Sequence, residues 1–297
     1  MAEHVIRQRW VSQHLPARPE RAHKGTFGKV LAIAGSLDYA GAAVLCGLGA
    51  ARAGAGLVCL ATPESVGLRL LGEVPEFISM LLPEEAPGLT APGGWRRLAS
   101  ESARYDAAVI GPGLGRQPSI LRRTRNLISE IRIPTVVDAD GLNALADGDR
   151  WWRTVTAPLV LTPHPGEFGR LTKSDPPGDD DAARAAAVRQ AALRWGQVVV
   201  LKGAHTVVAL PDGELLRSEI ATPALSTAGS GDVLAGVIAA FLAGGLLPGD
   251  AAACGVAVHG AAGLLAEDRI GRAGVMARDI AALLPEAIEQ LRGGRGS

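Results

Sequence analysis

Short runs of consecutive Val, Leu, Ile and Ala recur along this chain, separated by longer stretches whose apolar residues return at helical spacing. The run "KVLAIAG" (residues 29–35) predicts a strand, and the small-residue stretch 41–54 predicts a helix. "LVCLA" (57–61), "AAVIG" (107–111), "TVVDA" (135–139), "LVLTP" (159–163) and "VVVLKG" (198–203) repeat the strand signal. An Ala/Arg-rich helix is predicted over 180–195, and helices over 231–243, 250–267 and 277–291 close the chain. Runs that are apolar at every position, rather than at alternate ones, belong to strands buried on both faces. That is the mark of a parallel sheet covered by helices. "TVVAL" (206–210) and "ELLRS" (214–218), joined by Pro211, Asp212 and Gly213, predict an antiparallel hairpin at one edge. Residues 82–94 and 175–181 carry the Pro, Gly and acid content of loops. The fold class expected is α/β, as one domain, with the tail 292–297 disordered.

Composition narrows the partners. The 297 residues carry 30 Lys+Arg against 30 Asp+Glu, so the net charge is zero and no basic field exists to gather nucleic acid. The apolar stretch from Val233 to about Leu247 is shorter than the roughly 20 residues of a membrane span. The N-terminus is too polar for a signal peptide. Cys46, Cys59 and Cys254 are far apart and lack metal-ligand spacing, which suits small core residues in a reducing cytoplasm. No nucleic-acid or membrane partner is expected.

The chemistry collects at the predicted strand-to-helix turns, where open α/β sheets hold ligands. In "STAGSGDVLAGVIAAFLAGG" (226–245), Gly229, Ser230 and Gly231 precede Asp232 and an apolar helix. First-turn amides lack intrahelical partners and carry partial positive charge, so this turn can cradle a phosphate, with Asp232 placed to take a hydroxyl proton. The helix start is expected to lower the pKa of Asp232. "GSLDYAGAA" (35–43) lacks the Lys-Ser/Thr ending of a Walker loop, and its Gly and Ala let a flat ligand approach the backbone. "GPGLG" (111–115) offers another close approach. "DADGLNAL" (138–145) puts Asp138, Asp140 and Asn143 at a strand end, with Asp140 equally suited to capping a helix. "TPHPGEFGRL" (162–171) places His164, flanked by prolines, within one turn of Glu167, and "KGAHT" (202–206) sets an ammonium and a hydroxyl in a turn suited to phosphates.

Taken in order, "HKGTFGKVLAIAGS", "GAAVLCGLGAARAGAGLV", "GPGLG", "DADGLN", "LTPHPGEF", "VVLKGAHT" and "GSGDVLAG" resemble the NAD(P)H-hydrate dehydratases, nucleotide-dependent repair enzymes of the ribokinase-like superfamily. The resemblance covers residues 23–291, leaving 1–22 as an N-terminal extension. It implies a three-layer α/β/α sandwich around a central, mainly parallel sheet, and a homotetramer. Ala42, Gly115, His164 and Asp232 match the family's positions for the hydrated dinucleotide. Lys202, Gly203, Ala204, His205, Thr206 and Gly231 match those for the adenine nucleotide, with Gly229 and Ser230 completing the anion turn. Ala228 and Ser230 depart from a frequent glycine and threonine, and both remain small.

The implied activity converts the S form of hydrated NADH or NADPH (NADHX, NADPHX) back to NAD(P)H while ADP becomes AMP and phosphate, ATP being an alternative nucleotide. Mg²⁺ is the implied metal, held through water by Glu167 or Asn143. Only 22 residues precede "HKGTFG", so the epimerase domain of many relatives is expected on another protein. A ribokinase-like kinase acting on a small alcohol would share the anion turn and its Asp, and would stop at the phosphorylated product. A nucleotide-sensing module would bind ADP without releasing phosphate.

Overall fold

The computed structural model describes residues 3–293. Its strands are β1 (Glu3–Val5), β2 (Lys29–Ile33), β3 (Leu57–Pro63), β4 (Ile78–Leu82), β5 (Glu84–Ala86), β6 (Leu89–Thr90), β7 (Ala107–Ile110), β8 (Thr135–Val137), β9 (Leu159–Leu161), β10 (Val198–Leu201), β11 (Val207–Ala209) and β12 (Leu215–Arg217). Its helices are α1 (Gln8–His14), α2 (Ala40–Ala53), α3 (Glu64–Leu70), α4 (Pro92–Glu101), α5 (Pro118–Glu130), α6 (Asp140–Ala146), α7 (Pro165–Thr172), α8 (Asp181–Trp195), α9 (Ser230–Ala243), α10 (Pro248–Ile270) and α11 (Ala277–Leu291).

Ten strands form one sheet in the order β1-β12-β11-β10-β9-β8-β7-β2-β3-β4. Only β11 runs antiparallel to its neighbours; the other pairs are parallel. Successive strand residues serve opposite cores, which is why the strands read as unbroken apolar runs. Val30 and Ala32 of β2 join a core with α1, α2, α3, α9, α10 and α11. Leu31 and Ile33 join the other, built with α4, α5, α6, α7 and α8. The expected α/β/α sandwich is therefore present.

Several parts differ from the sequence expectation. The hairpin β11–β12 forms, but β1 covers its outer strand in parallel, so it is not an edge. Within the expected extension, Glu3–Val5 supply the terminal strand, and Val11 of α1 enters the core. Three-residue strands with exposed positions carry too little pattern to be read. Most of the predicted loop 82–94 is structured, as the end of β4, the small β5–β6 ladder and the start of α4. Arg292 is the C-cap of α11, and the rest of the expected disordered tail, 294–297, lies outside the described residues.

By length and composition α10, not the stretch after Val233, is long and apolar enough to cross a membrane. Its apolar window is 72% buried inside the protein, as in a core helix of a large domain. All three cysteines are free and buried, as expected of small core residues.

The α2–α9 contact positions the site. A Cβ on Gly236 would sit 2.0 Å from the Cys46 carbonyl oxygen, and one on Gly49 would sit 2.2 Å from that of Val233. Glycine at both places lets the two helix backbones touch. Their N-terminal ends are thereby held side by side at the carboxyl ends of the strands. There β2 leads outward to β3 and β7 leads the opposite way to β8, which makes the β2–β7 gap the point where ligands bind in such sheets.

Candidate active site

Each site segment leaves the carboxyl end of a strand or opens a helix. Before α9, Gly229 takes φ 87°, ψ −8°, a left-handed conformation that turns the chain sharply into the helix. Ser230 N–H donates to the Thr227 carbonyl, and Val233 N–H to that of Gly229. The amides of Gly231 and Asp232 lie between, in the first turn, where helical N–H groups find no intrahelical acceptor. Ser230 Oγ lies 3.1 Å from Nε2 of His259, a buried residue of α10. Burial pushes the His259 imidazole down to about 4, so it is neutral at pH 7.

The turn separates two cavities. One, of about 560 Å³, is lined by Lys202, Gly203, Ala204, Thr206, Ser230 and Gly231, with Leu225, Leu234 and Val256 on its apolar side. The other, of about 830 Å³, is lined by Ala42, Gly115, Asp140 and Asp232, with Tyr39 and Arg116 among its walls. Gly231 thus faces one cavity while its neighbour Asp232 faces the other.

The carboxylates around this junction are held in different ways. Asp138, buried just beyond β8, accepts from Thr162 Oγ1 at 2.7 Å and from Lys202 Nζ at 2.7 Å. Lys202 also stands 3.8 Å from Glu167. Burial alone would lower the Lys202 ammonium, but Asp138 and Glu167 overcome that and raise it, so it stays charged. Asp140 accepts from the Gly115 amide at 2.9 Å, from Arg116 at 3.1 Å and from Asn143 at 3.0 Å. It fastens the "GPGLG" loop to α6 rather than capping its own helix. Between these two acids, Ala139 takes φ 49° and ψ −116°, a strained conformation for a residue with a Cβ. That kink points the side chains on either side of it at different partners.

Asp232 departs from the expectation. The helix start was expected to lower its pKa. Instead burial first, and then the negative charge of Asp138, push it up to about 7, with Glu167 and Asp140 adding to the rise. Lys202 opposes the shift and does not cancel it, because it is bonded to Asp138. A helix terminus acts only on the charges of its own first turn. The sequence does not reveal that three other carboxylates fold around this one.

The remaining expected residues are placed as follows. His164 caps α7: its Nδ1 accepts from Gly166 N–H at 3.0 Å, and its own N–H donates to Glu167 at 2.9 Å. Burial and nearby cations lower its pKa despite Glu167, and it lines neither cavity. Asn143 donates to Asp140 and accepts from Arg170 at 2.9 Å, so its amide is already engaged at both ends. The His205 ring bonds Asp181 at 2.8 Å, on the side of α8, while its neighbours Ala204 and Thr206 line the first cavity. His259, Arg170, Arg116 and Arg184 were not singled out from sequence. A lone polar residue, whether in a helix like His259, Arg170 and Arg184 or in a loop like Arg116, carries no signal of what it will face.

Against known families, residues 30–286 match the model of NAD(P)H-hydrate dehydratase. The chain belongs to that family. It is 38% identical over 284 residues to the ADP-dependent (S)-NAD(P)H-hydrate dehydratase of Xanthomonas campestris pv. campestris, covering 94% of each chain. It is 41% identical over 283 residues to the bifunctional NAD(P)H-hydrate repair enzyme Nnr of Moorella thermoacetica, covering 95% of this chain and 53% of that one. The chain therefore spans about half the length of such bifunctional relatives. The crystal structure of the Bacillus subtilis ADP/ATP-dependent NAD(P)H-hydrate dehydratase, co-crystallized with ATP/Mg²⁺, superposes with a TM-score of 0.83 at 31% identity. That match covers 98% of this chain and 99% of the other.

Proposed function

We propose that this protein dehydrates the S form of hydrated NADH or NADPH back to NAD(P)H, with ADP as phosphoryl donor. One observation carries the reading: Gly231 and Asp232, adjacent in the chain, face two different cavities. The nucleotide occupies the cavity of Lys202–Thr206 and the anion turn. The hydrated dinucleotide occupies the cavity of Ala42 and Gly115. The terminal phosphoryl group then has only the first turn of α9 to cross.

The hydrate carries a hydroxyl on the ring carbon beside the ring nitrogen. Asp232 accepts its proton as the oxygen bonds to the terminal phosphorus of ADP, and AMP leaves with the electrons of the broken P–O bond. With a pKa near 7, Asp232 is partly ionised at neutral pH and basic enough to receive that proton. The amides of Gly231 and Asp232 meet the charge on the moving phosphoryl group, and Lys202 adds a fixed positive charge. The C–O bond then breaks, phosphate departs with the bonding pair, and the ring-nitrogen lone pair fills the gap. Loss of a proton from the neighbouring ring carbon restores the reduced nicotinamide. Phosphorylation thus turns hydroxide, a poor leaving group, into a good one.

Mg²⁺ would enter with the nucleotide and offset phosphate charge. Among the described residues no three His, Cys, Asp or Glu side chains gather as a ready cage. That donor set suits an ion which keeps its waters and leans on phosphates. Glu167 and Asp138, flanking Lys202, are the carboxylates at hand for those waters, and the engaged amide of Asn143 suits the role less well.

The test is an assay with purified S hydrate and ADP. The near-ultraviolet absorbance of reduced nicotinamide should return, with one AMP and one phosphate released per molecule repaired. Phosphorylated hydrate accumulating without recovery of that absorbance would identify a kinase instead.

A further inference from the structure

Arg184, in the first turn of α8, is only 4% exposed. A buried guanidinium ordinarily has a carboxylate beside it, because an isolated buried charge is costly. Among the described residues no carboxylate oxygen lies within 4.0 Å of this one, and its Nε has no hydrogen-bond partner. The two acids next to it are engaged elsewhere. Asp180 accepts from the Ala183 amide, and Asp181 bonds His205. A cation at a helix start also opposes the helix dipole. Stability alone therefore gives no reason for a charge at this place.

Its surroundings give another reason. One terminal nitrogen donates to the Lys202 carbonyl at 3.3 Å. A Cβ on Gly203 would stand 2.7 Å from the same nitrogen, so the guanidinium lies directly beneath the Lys202–Gly203 turn. The opposite side of that turn lines the cavity assigned above to the nucleotide.

Resting on that assignment, we infer that Arg184 is a positioning residue for the nucleotide: it holds the Lys202–Gly203 turn from below and supplies buried positive charge that the incoming phosphates neutralise. The nucleotide then brings, across the turn, the negative charge that the protein does not place beside Arg184. A neutral ligand such as adenosine would fill the cavity without supplying that charge.

Calorimetric titration of ADP and of adenosine into the wild type, Arg184→Gln and Arg184→Lys separates charge from shape. Arg184→Gln is expected to weaken ADP by about tenfold and leave adenosine within about twofold. Arg184→Lys should recover most of the ADP affinity, and kcat at saturating ADP should persist in both variants. Equal weakening of ADP and adenosine would reduce Arg184 to a prop for the turn and overturn the inference, as would unchanged binding of both. If Arg184→Gln fails to fold, the ADP-to-adenosine ratio of Arg184→Lys decides: a ratio kept near that of the wild type supports the role of charge, and a collapsed ratio refutes it. A wild type that binds adenosine and ADP equally overturns the inference alone. One that binds neither overturns the nucleotide reading beneath it.

Discussion

The two cavities that meet at the start of α9 are built from different materials. The side of Lys202 offers glycine backbone, the hydroxyls of Thr206 and Ser230, and the ammonium itself. The other side presents Asp38, Asp140 and Asp232, with Arg116 bound to Asp140. Lys202 and free backbone amides suit the first to phosphate, while Asp232 in the second lies open to a neutral hydroxyl. The same contrast separates two acids. Asp138, bonded to Lys202 and Thr162, has its charge compensated, whereas Asp232 lacks such a partner and is pushed up to about 7. Environment, not residue type, makes one a structural anchor and fits the other to the role of base proposed above.

The sharpest way to break this contrast is Asp232→Asn. Turnover is expected to fall about 10²–10⁴-fold while ADP affinity is retained, by stopped assay and calorimetry. Near-native turnover would remove Asp232 from the chemistry. Lys202→Met strips the counter-charge from Asp138 and leaves a buried carboxylate unpaired. A stability loss of about 3–5 kcal/mol is expected in chemical denaturation, together with weaker ADP binding.

The pH dependence follows from the raised pKa of Asp232. Its folded value, about 7, lies above the ordinary carboxylate value, so the folded state holds a proton that the unfolded chain has released. This contribution favours the fold below about pH 4 and is lost as pH rises toward 7. Asp232→Asn should therefore be more stable than the wild type at pH 8, by up to about 4 kcal/mol, and the difference should shrink toward pH 4. In the same window kcat/KM of the wild type should rise as Asp232 ionises, with its midpoint near pH 7. A flat profile between pH 6 and 8 would contradict that assignment. The smallest effect expected is that of Ser230→Ala, which removes the contact with neutral His259. Its cost should be about 0.5–1.5 kcal/mol of stability, with a modest rise in KM for ADP.

Much of this contrast was legible in the chain. The buried strands β2, β3, β7, β8, β9 and β10 stood out because continuous Val/Leu runs are required where both faces of a strand are covered, whereas β4, with its exposed start, did not. The anion turn and the "KGAHT" turn were readable because glycine and lysine carry their chemistry locally. The small strands β1, β5 and β6 were not, since two or three residues with exposed positions establish no period. Nor was the surrounding of His164, where a capping box turned a rigid, proline-flanked histidine back onto its own helix.

The sequence by itself determined the layering, the order of the turns and which residues could meet a phosphate, because backbone preference and side-chain chemistry act over a few neighbours. Tertiary structure decided which charges would face one another. Asp138, Asp140, Glu167, Lys202 and Asp232 come from the turns after three strands and from the start of α9, and electrostatic energy depends on the distances between them, which no local pattern encodes. For that reason the place of Asp232 could be read from the chain, while its proton affinity appeared only once the sheet had gathered the other acids around it.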